Sequence, residues 1–201
     1  MDIVIIDYGI GNIRSIYNAL ESLNFSSVII SRDIKKIMSS DVLILPGVGS
    51  FKHGMQELEK YNLIKVINDF AQEDKKIIGI CLGMQLLFDS SDEFEYTKGL
   101  GLIPGEIKKL NSKKLPNISW QRLKFKDENT TYLDGIIDSN TFYFIHSFAC
   151  KNYKNKSCIA YSSYEDENFV AIVKKDNIIG CQFHPEKSGK YGLKLLYNLL
   201  K

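Results

Sequence analysis

Gly79-Ile80-Cys81-Leu82-Gly83 sets a cysteine between two glycines, at the end of the apolar run Ile77-Ile78-Gly79-Ile80 and just before a second one, Leu82-Gly83-Met84-Gln85-Leu86-Leu87-Phe88. A strand that enters a helix through G-x-C-x-G is the cysteine form of a nucleophile elbow, where small neighbours permit a bend that lifts the side chain above the sheet edge. At a helix start the dipole favours thiolate, and the amide of Leu82 is free to bind an oxyanion. Alone, Cys81 would read more simply as a buried structural thiol. A second group changes that reading. Near the other end of the chain, Ile178-Ile179-Gly180-Cys181-Gln182-Phe183 forms a strand followed by His184-Pro185-Glu186-Lys187. Pro185 disfavours helical backbone at His184, and residues two apart in extended chain share a side, which brings Glu186 to the imidazole. Cysteine, histidine and acid make a covalent hydrolase set: Cys81 as nucleophile, His184 as base and acid, Glu186 as the group that orients it.

Two further turns bear on this chemistry. Leu43-Ile44-Leu45-Pro46-Gly47-Val48-Gly49 is a strand ending in a flexible loop whose amides can approach a ligand and supply a second oxyanion donor, although an ordinary strand-to-helix loop fits equally well. Gly9-Ile10-Gly11-Asn12-Ile13-Arg14 imitates a dinucleotide fingerprint, but Arg14 stands where the third glycine belongs. His53, His146 and His184 lack metal-ligand spacing with the cysteines, so neither a metal nor a cofactor is expected.

The elements that must hold these residues alternate in the first half, as in βαβ units with a parallel sheet. Strands are expected over Ile3–Ile6, 28–30, Val42–Leu45 and Lys76–Ile80, with helices over 13–23 and 58–70. Residues 102–183 are rich in β-branched and aromatic side chains, with turn signals at Pro104-Gly105, Asp134-Gly135 and Asp176-Asn177, and read as mostly strands. A closing helix spans 188–200. With 201 residues and no linker or repeat, one domain is expected, large enough to bury about 70% of its unfolded surface.

Composition narrows the function classes. A content of 44% hydrophobic and 25% charged residues is that of an ordinary globular chain. A net charge of +2 is too small to supply the electrostatic term of nucleic-acid binding, and the lysine pairs are scattered as on a solvated face. No apolar run reaches membrane-spanning length. Cys81, Cys150, Cys158 and Cys181 have no CxxC spacing and no leader precedes them, which points to a reduced cytoplasmic setting.

Six blocks together carry a resemblance: Asp7-Tyr8-Gly9-x-Gly11-Asn12, Leu45-Pro46-Gly47-Val48-Gly49-x-Phe51, Gly79-Ile80-Cys81-Leu82-Gly83-Met84-Gln85, Gly99-Leu100-Gly101-x-Ile103-Pro104-Gly105, Phe142-Tyr143-Phe144-x-His146-Ser147 and Gln182-Phe183-His184-Pro185-Glu186-Lys187-Ser188. In this order they resemble the class I, triad-type glutamine amidotransferases, and among these the glutaminase (HisH-type) subunits of imidazole glycerol phosphate synthase. The resemblance implies a flavodoxin-like α/β fold, with a mixed central sheet flanked by helices and antiparallel strands added in the second half. It implies that Cys81 attacks the side-chain amide of glutamine, that the Val48 and Leu82 amides form the oxyanion hole, and that Gly49, Gln85, Ser147 and Phe148 hold the substrate. It further implies a heterodimer with a (β/α)8 cyclase (HisF-type) subunit that receives the ammonia in histidine biosynthesis, with Asn12, Trp120 and Lys187 facing it. Read without the resemblance, Trp120 could equally fill core and Lys187 be solvated.

One block departs. The family usually reads Pro-His-x-Gly-Trp-Asn where this chain has Pro116-Asn117-Ile118-Ser119-Trp120-Gln121. The triad is untouched, but the partner-facing surface is altered, as it would be in a paralogue that feeds ammonia to a sugar amidotransferase of surface-polysaccharide or flagellin-glycan synthesis. A stand-alone cysteine hydrolase on the same fold is the remaining alternative.

Overall fold

A computed structural model describes residues 1–126, 133–136, 140–152 and 154–201. The first half runs β1 (Ile3–Ile6), α1 (Ile13–Ser22), β2 (Val28–Ser31), α2 (Ile34–Ser39), β3 (Val42–Leu45), α3 (Phe51–Lys60), α4 (Leu63–Gln72), β4 (Lys76–Ile80) and α5 (Leu82–Leu86). The second half runs β5 (Phe88–Ser91), β6 (Thr97–Lys98), β7 (Ile103–Lys109), β8 (Asn117–Arg122), β9 (Lys124–Phe125), β10 (Thr141–His146), β11 (Phe148–Cys150), β12 (Cys158–Tyr164), β13 (Glu167–Lys175), β14 (Ile178–Cys181), a 3-10 turn (Pro185–Lys187) and α6 (Gly189–Leu200). The resulting α/β fold has a large central sheet flanked by helices, as expected.

The main sheet has the strand order β2-β1-β3-β4-β14-β13-β12-β9. Its first five strands are parallel and the remaining three antiparallel. In the parallel part β1, β3, β4 and β14 are covered on both faces, so their side chains are largely apolar and alternate between two cores, whereas the edge strand β2 leaves Ile29 and Ile30 exposed. Ile3 and Ile5 enter one cluster with Ile78, Ile80, Phe144 and Phe183, whereas Val4 and Ile6 enter the other with Leu43, Ile77 and Met84. Register decides where the chemistry lies. Leu45 pairs with Gly79, and Ile80 with Cys181. Strands β3, β4 and β14 therefore end together, and they release the Pro46 loop, Cys81 and the His184 turn at one carboxyl edge, where open α/β sheets bind ligands.

Outside this sheet, β8 and β10 form an antiparallel ribbon, and β11-β7-β5-β6 a small sheet. Phe142, Phe144, Phe169 and Phe183 interlock behind the ribbon, with ring centroids 4.6 to 5.5 Å apart, and tie β10 to β13 and to the segment after β14. Rings in these tilted and edge-to-face arrangements add about 0.5–1.5 kcal/mol per pair beyond burial.

Three local expectations differ from the structure. The helix expected over 58–70 is two helices, because Asn62 adopts a left-handed φ of 56°, a conformation a short polar side chain tolerates. The break lets Leu58 of α3 and Leu63 and Ile67 of α4 bury in one core. Pro104-Gly105 is not a turn but lies inside β7, where these two residues oppose Asp89 alone in β5. It is a β-bulge, and the Asp89 carboxylate accepts the Gly105 amide at 2.8 Å. The apolar stretch after Cys81 stays helical only to Leu86, and Phe88 begins a strand. Helix α2, too short for Ile34, Ile37 and Met38 to stand out as a periodic pattern, is capped by Asp33 accepting the Lys36 amide at 3.1 Å.

Candidate active site

Cys81 occupies the turn between β4 and α5 with φ 55° and ψ −113°. A non-glycine residue held there costs about 1–3 kcal/mol, and such strain is characteristic of a nucleophile elbow. Its two glycine neighbours are required by contact. A Cβ on Gly83 would lie 1.9 Å from the Leu45 carbonyl oxygen, and one on Gly79 would lie 2.8 Å from the Met84 Cα. The Cys81 amide donates to Cys181 O at 2.8 Å, locking the elbow to β14. Leu82 is the first residue of α5, so its amide has no acceptor within the helix. With only five residues, α5 offers a weak dipole. The cation that can hold a thiolate here is instead His184.

His184 is extended, and its amide donates to Tyr143 O at 3.0 Å. The contact to Glu186 forms differently from the expectation of extended chain, because Pro185–Lys187 makes a 3-10 turn that folds the carboxylate back onto the ring. His184 Nδ1 lies 2.7 Å from Glu186 Oε1. The two side chains are 3% and 0% exposed. Ser188 completes the frame by donating to His184 O at 2.6 Å and accepting the Tyr143 amide at 3.0 Å. Burial works against a charged imidazole, but hydrogen bonds to Cys81 and Glu186, together with their negative charges, outweigh it and raise the His184 pKa. One nitrogen of the base is thus held by the carboxylate, and Cys81 stands near enough for its charge to act on the ring. Burial pushes the Cys150 and Cys158 thiols up to about 11, and raises Cys181 as well, which leaves them poor nucleophiles.

A cavity of about 240 Å³ opens beside Cys81. Val48 and Gly49 from the β3 loop, Leu82 and Gln85 from α5, and Ser147 and Phe148 from the β10–β11 junction all line it, along with Cys81 and His184. Gln85 Nε2 donates to Phe148 O at 2.8 Å and to Gln182 Oε1 at 3.0 Å. Glu93 and His146 also line it, and neither is marked as a site residue by the sequence, where His146 stands only inside one of the resembling blocks. Glu93 follows β5 and accepts the Phe51 amide, at the start of α3, at 2.7 Å; burial raises its pKa and that hydrogen bond opposes the rise. His146 sits at the end of β10. Both reach the cavity through strand pairing and loop placement, which no local spacing records.

The three residues expected at a partner surface lie as follows. Trp120 is 54% exposed on β8, tilted at 57° against Tyr143 with centroids 5.8 Å apart, and Tyr143 stands 6.5 Å from the His184 ring. It is therefore not core. Lys187 is exposed at the end of the 3-10 turn, and Asn12 precedes α1, which packs against that turn. Ile118, Ile145 and Val48 are also exposed and apolar.

Comparison with known proteins agrees with this architecture. Residues 4–201 match the family described as glutamine amidotransferase class-I. The imidazole glycerol phosphate synthase subunit HisH of Aquifex aeolicus is 43% identical over 98% of this chain and 95% of the relative. That of Lactococcus lactis is 44% identical over 99% and 98%. Among solved structures, PurLQS from Thermotoga maritima superposes with a TM-score of 0.75 at 23% identity, covering 99% of this chain and 97% of the other. Sequence and fold thus agree, and the chain belongs to the class-I glutamine amidotransferases, in the family of the imidazole glycerol phosphate synthase HisH subunits.

Proposed function

We propose that this chain is the glutaminase subunit of an imidazole glycerol phosphate synthase, that residues 1–201 form one domain, and that Cys81, His184 and Glu186 are its catalytic triad. The observation that carries the reading is the thiol at a strained elbow, lining an amino-acid-sized cavity together with an imidazole whose Nδ1 lies 2.7 Å from a buried carboxylate. The Cys81 thiolate attacks the side-chain amide carbon of glutamine, and the Val48 and Leu82 amides take the oxyanion. His184 gives its proton to the departing nitrogen, the C–N bond breaks, and ammonia leaves a γ-glutamyl thioester. Water then attacks with His184 as base, releasing glutamate and restoring the thiolate. Gly49, Gln85, Ser147 and Phe148 hold the substrate, and Glu93 is the natural partner of its α-ammonium group.

Ammonia in bulk water takes up a proton and ceases to be a nucleophile, so it must pass directly to its acceptor. The exposed apolar groups around the mouth, Ile118, Trp120, Ile145 and Val48, favour a partner seated there, with Asn12 and Lys187 beside it. We assign that place to a (β/α)8 cyclase subunit of the HisF type in a cytoplasmic heterodimer, in which ammonia is used to make imidazole glycerol phosphate. The altered block Pro116-Asn117-Ile118-Ser119-Trp120-Gln121 favours a second reading, a sugar amidotransferase as acceptor. Glutamine hydrolysis measured with and without the purified cyclase subunit separates these. Strong stimulation by the cyclase is expected, whereas vigorous hydrolysis by the chain alone would contradict the proposal and favour a stand-alone hydrolase.

A further inference from the structure

A buried chain of hydrogen bonds lies beside the triad and takes no part in the steps above. His146, at the end of β10, is opposite Asn117 in the β8–β10 ribbon, and both side chains are buried. Asn117 Nδ2 is 3.1 Å from His146 Nε2, while Asn117 Oδ1 accepts the Ser119 hydroxyl at 2.7 Å. On the other side of the ring, His146 Nδ1 is 3.1 Å from Phe148 O, the same carbonyl that accepts Gln85 Nε2 at 2.8 Å. A carbonyl only accepts, so Nδ1 carries the proton. In a neutral ring Nε2 is then the acceptor, and it requires the N–H end of the Asn117 amide, which is the end it meets. Burial pushes the imidazole down to about 4 and keeps it neutral at physiological pH. The rings of Phe144 and Phe169, at 5.8 and 4.8 Å, fix its plane.

We propose that Asn117 and His146 are positioning residues of the substrate pocket: Asn117 fixes His146 as the Nδ1–H tautomer, and His146 and Gln85 together hold the Phe148 carbonyl, which sets the pocket wall where glutamine binds. The inference rests on the glutamine reading above. It also gives the departure at position 117 a physical content. Asparagine there presents an N–H to a buried ring nitrogen, and the other two departures, Ser119 and Gln121, share its face of β8 and donate to its Oδ1 at 2.7 and 3.5 Å, while the outward-facing Trp120 is unchanged.

The test compares two electrophiles on the isolated chain. The diazo ketone analogue of glutamine must occupy the pocket before it alkylates Cys81, whereas iodoacetamide need not. Asparagine carries its amide nitrogen near the place of a histidine Nδ1, so His146→Asn retains the donor to Phe148 O and His146→Leu does not. His146→Leu is expected to raise the half-saturating concentration of the analogue about tenfold and Asn117→Leu about threefold, the range of one or part of one buried hydrogen bond. His146→Asn is expected to recover most of that loss, with iodoacetamide rates within about twofold of wild type throughout. Unchanged saturation in His146→Leu, equal losses in His146→Asn and His146→Leu, or a parallel fall in iodoacetamide rate would each overturn the proposal. If the wild-type chain reacts with iodoacetamide but shows no saturable reaction with the analogue, the glutamine reading falls first, and this one with it.

Discussion

At the scale of single residues, the site separates groups that a short sequence motif reveals from groups that only the fold brings in. Cys81 is marked by its flanking glycines, and His184 with Glu186 by a proline that fixes the local backbone, so all three are legible in the chain. Glu93 is one acid among Asp89, Asp92 and Glu95 until the β5–β6 loop meets the start of α3. If Glu93 binds the α-ammonium group, Glu93→Gln removes one charge-assisted hydrogen bond and little else. Steady-state kinetics of the complex should then show the glutamine KM raised by about 10- to 100-fold with kcat nearly unchanged. An equal fall in kcat would place Glu93 in the chemistry instead. His146 stands inside one of the resembling blocks, but its role does not show there, since its partner Asn117 is close only through the ribbon.

At the scale of elements, the site depends on three parallel strands ending together and on close backbone approach at the elbow. Gly83 lies against Leu45, so the β3 loop and α5 touch without a side chain between them. Gly83→Ala forces a shift of backbone and is expected to destabilise the fold by about 3 kcal/mol or more while abolishing Cys81 reactivity, measured by thermal unfolding and iodoacetamide alkylation. A stable, reactive Gly83→Ala protein would show that the elbow is looser than described. The strand pattern of the first half was readable because doubly buried strands are nearly pure in Ile, Val and Leu. The split at Asn62 and the bulge at Pro104-Gly105 were not, because each depends on what packs against it: a shared core for α3 and α4, and the Asp89 carboxylate for the bulge. A proline-glycine pair reads as a turn in isolation and becomes a bulge only beside its partner strand.

At the scale of the whole molecule, the two buried histidines pull stability in opposite directions with pH. His184 has a raised pKa, so its contribution is complete below the unfolded value near 6.5 and is lost as pH rises through the folded value. His146 is lowered to about 4, first by burial and further by the charge of His184, against the pull of the Phe148 carbonyl. Asn117 faces it from β8, and the uncharged rings of Phe144 and Phe169 enclose it. The unfolded chain therefore binds the extra proton between about 6.5 and 4, and stability falls as pH drops through that window, by at most about 3 kcal/mol. Melting temperatures between pH 4.5 and 7 should decline less steeply for His146→Asn than for wild type, and parallel declines would show that His146 is not the group responsible.

The same scale holds the central claim, that this chain makes ammonia and passes it on. In the complex with its acceptor subunit, Cys81→Ala should abolish product formation from glutamine, by about 10⁴-fold or more, while leaving formation from added ammonium salt near wild type, because only ammonia generation requires the thiolate. Loss of both activities, or survival of the glutamine-dependent one, would contradict the account.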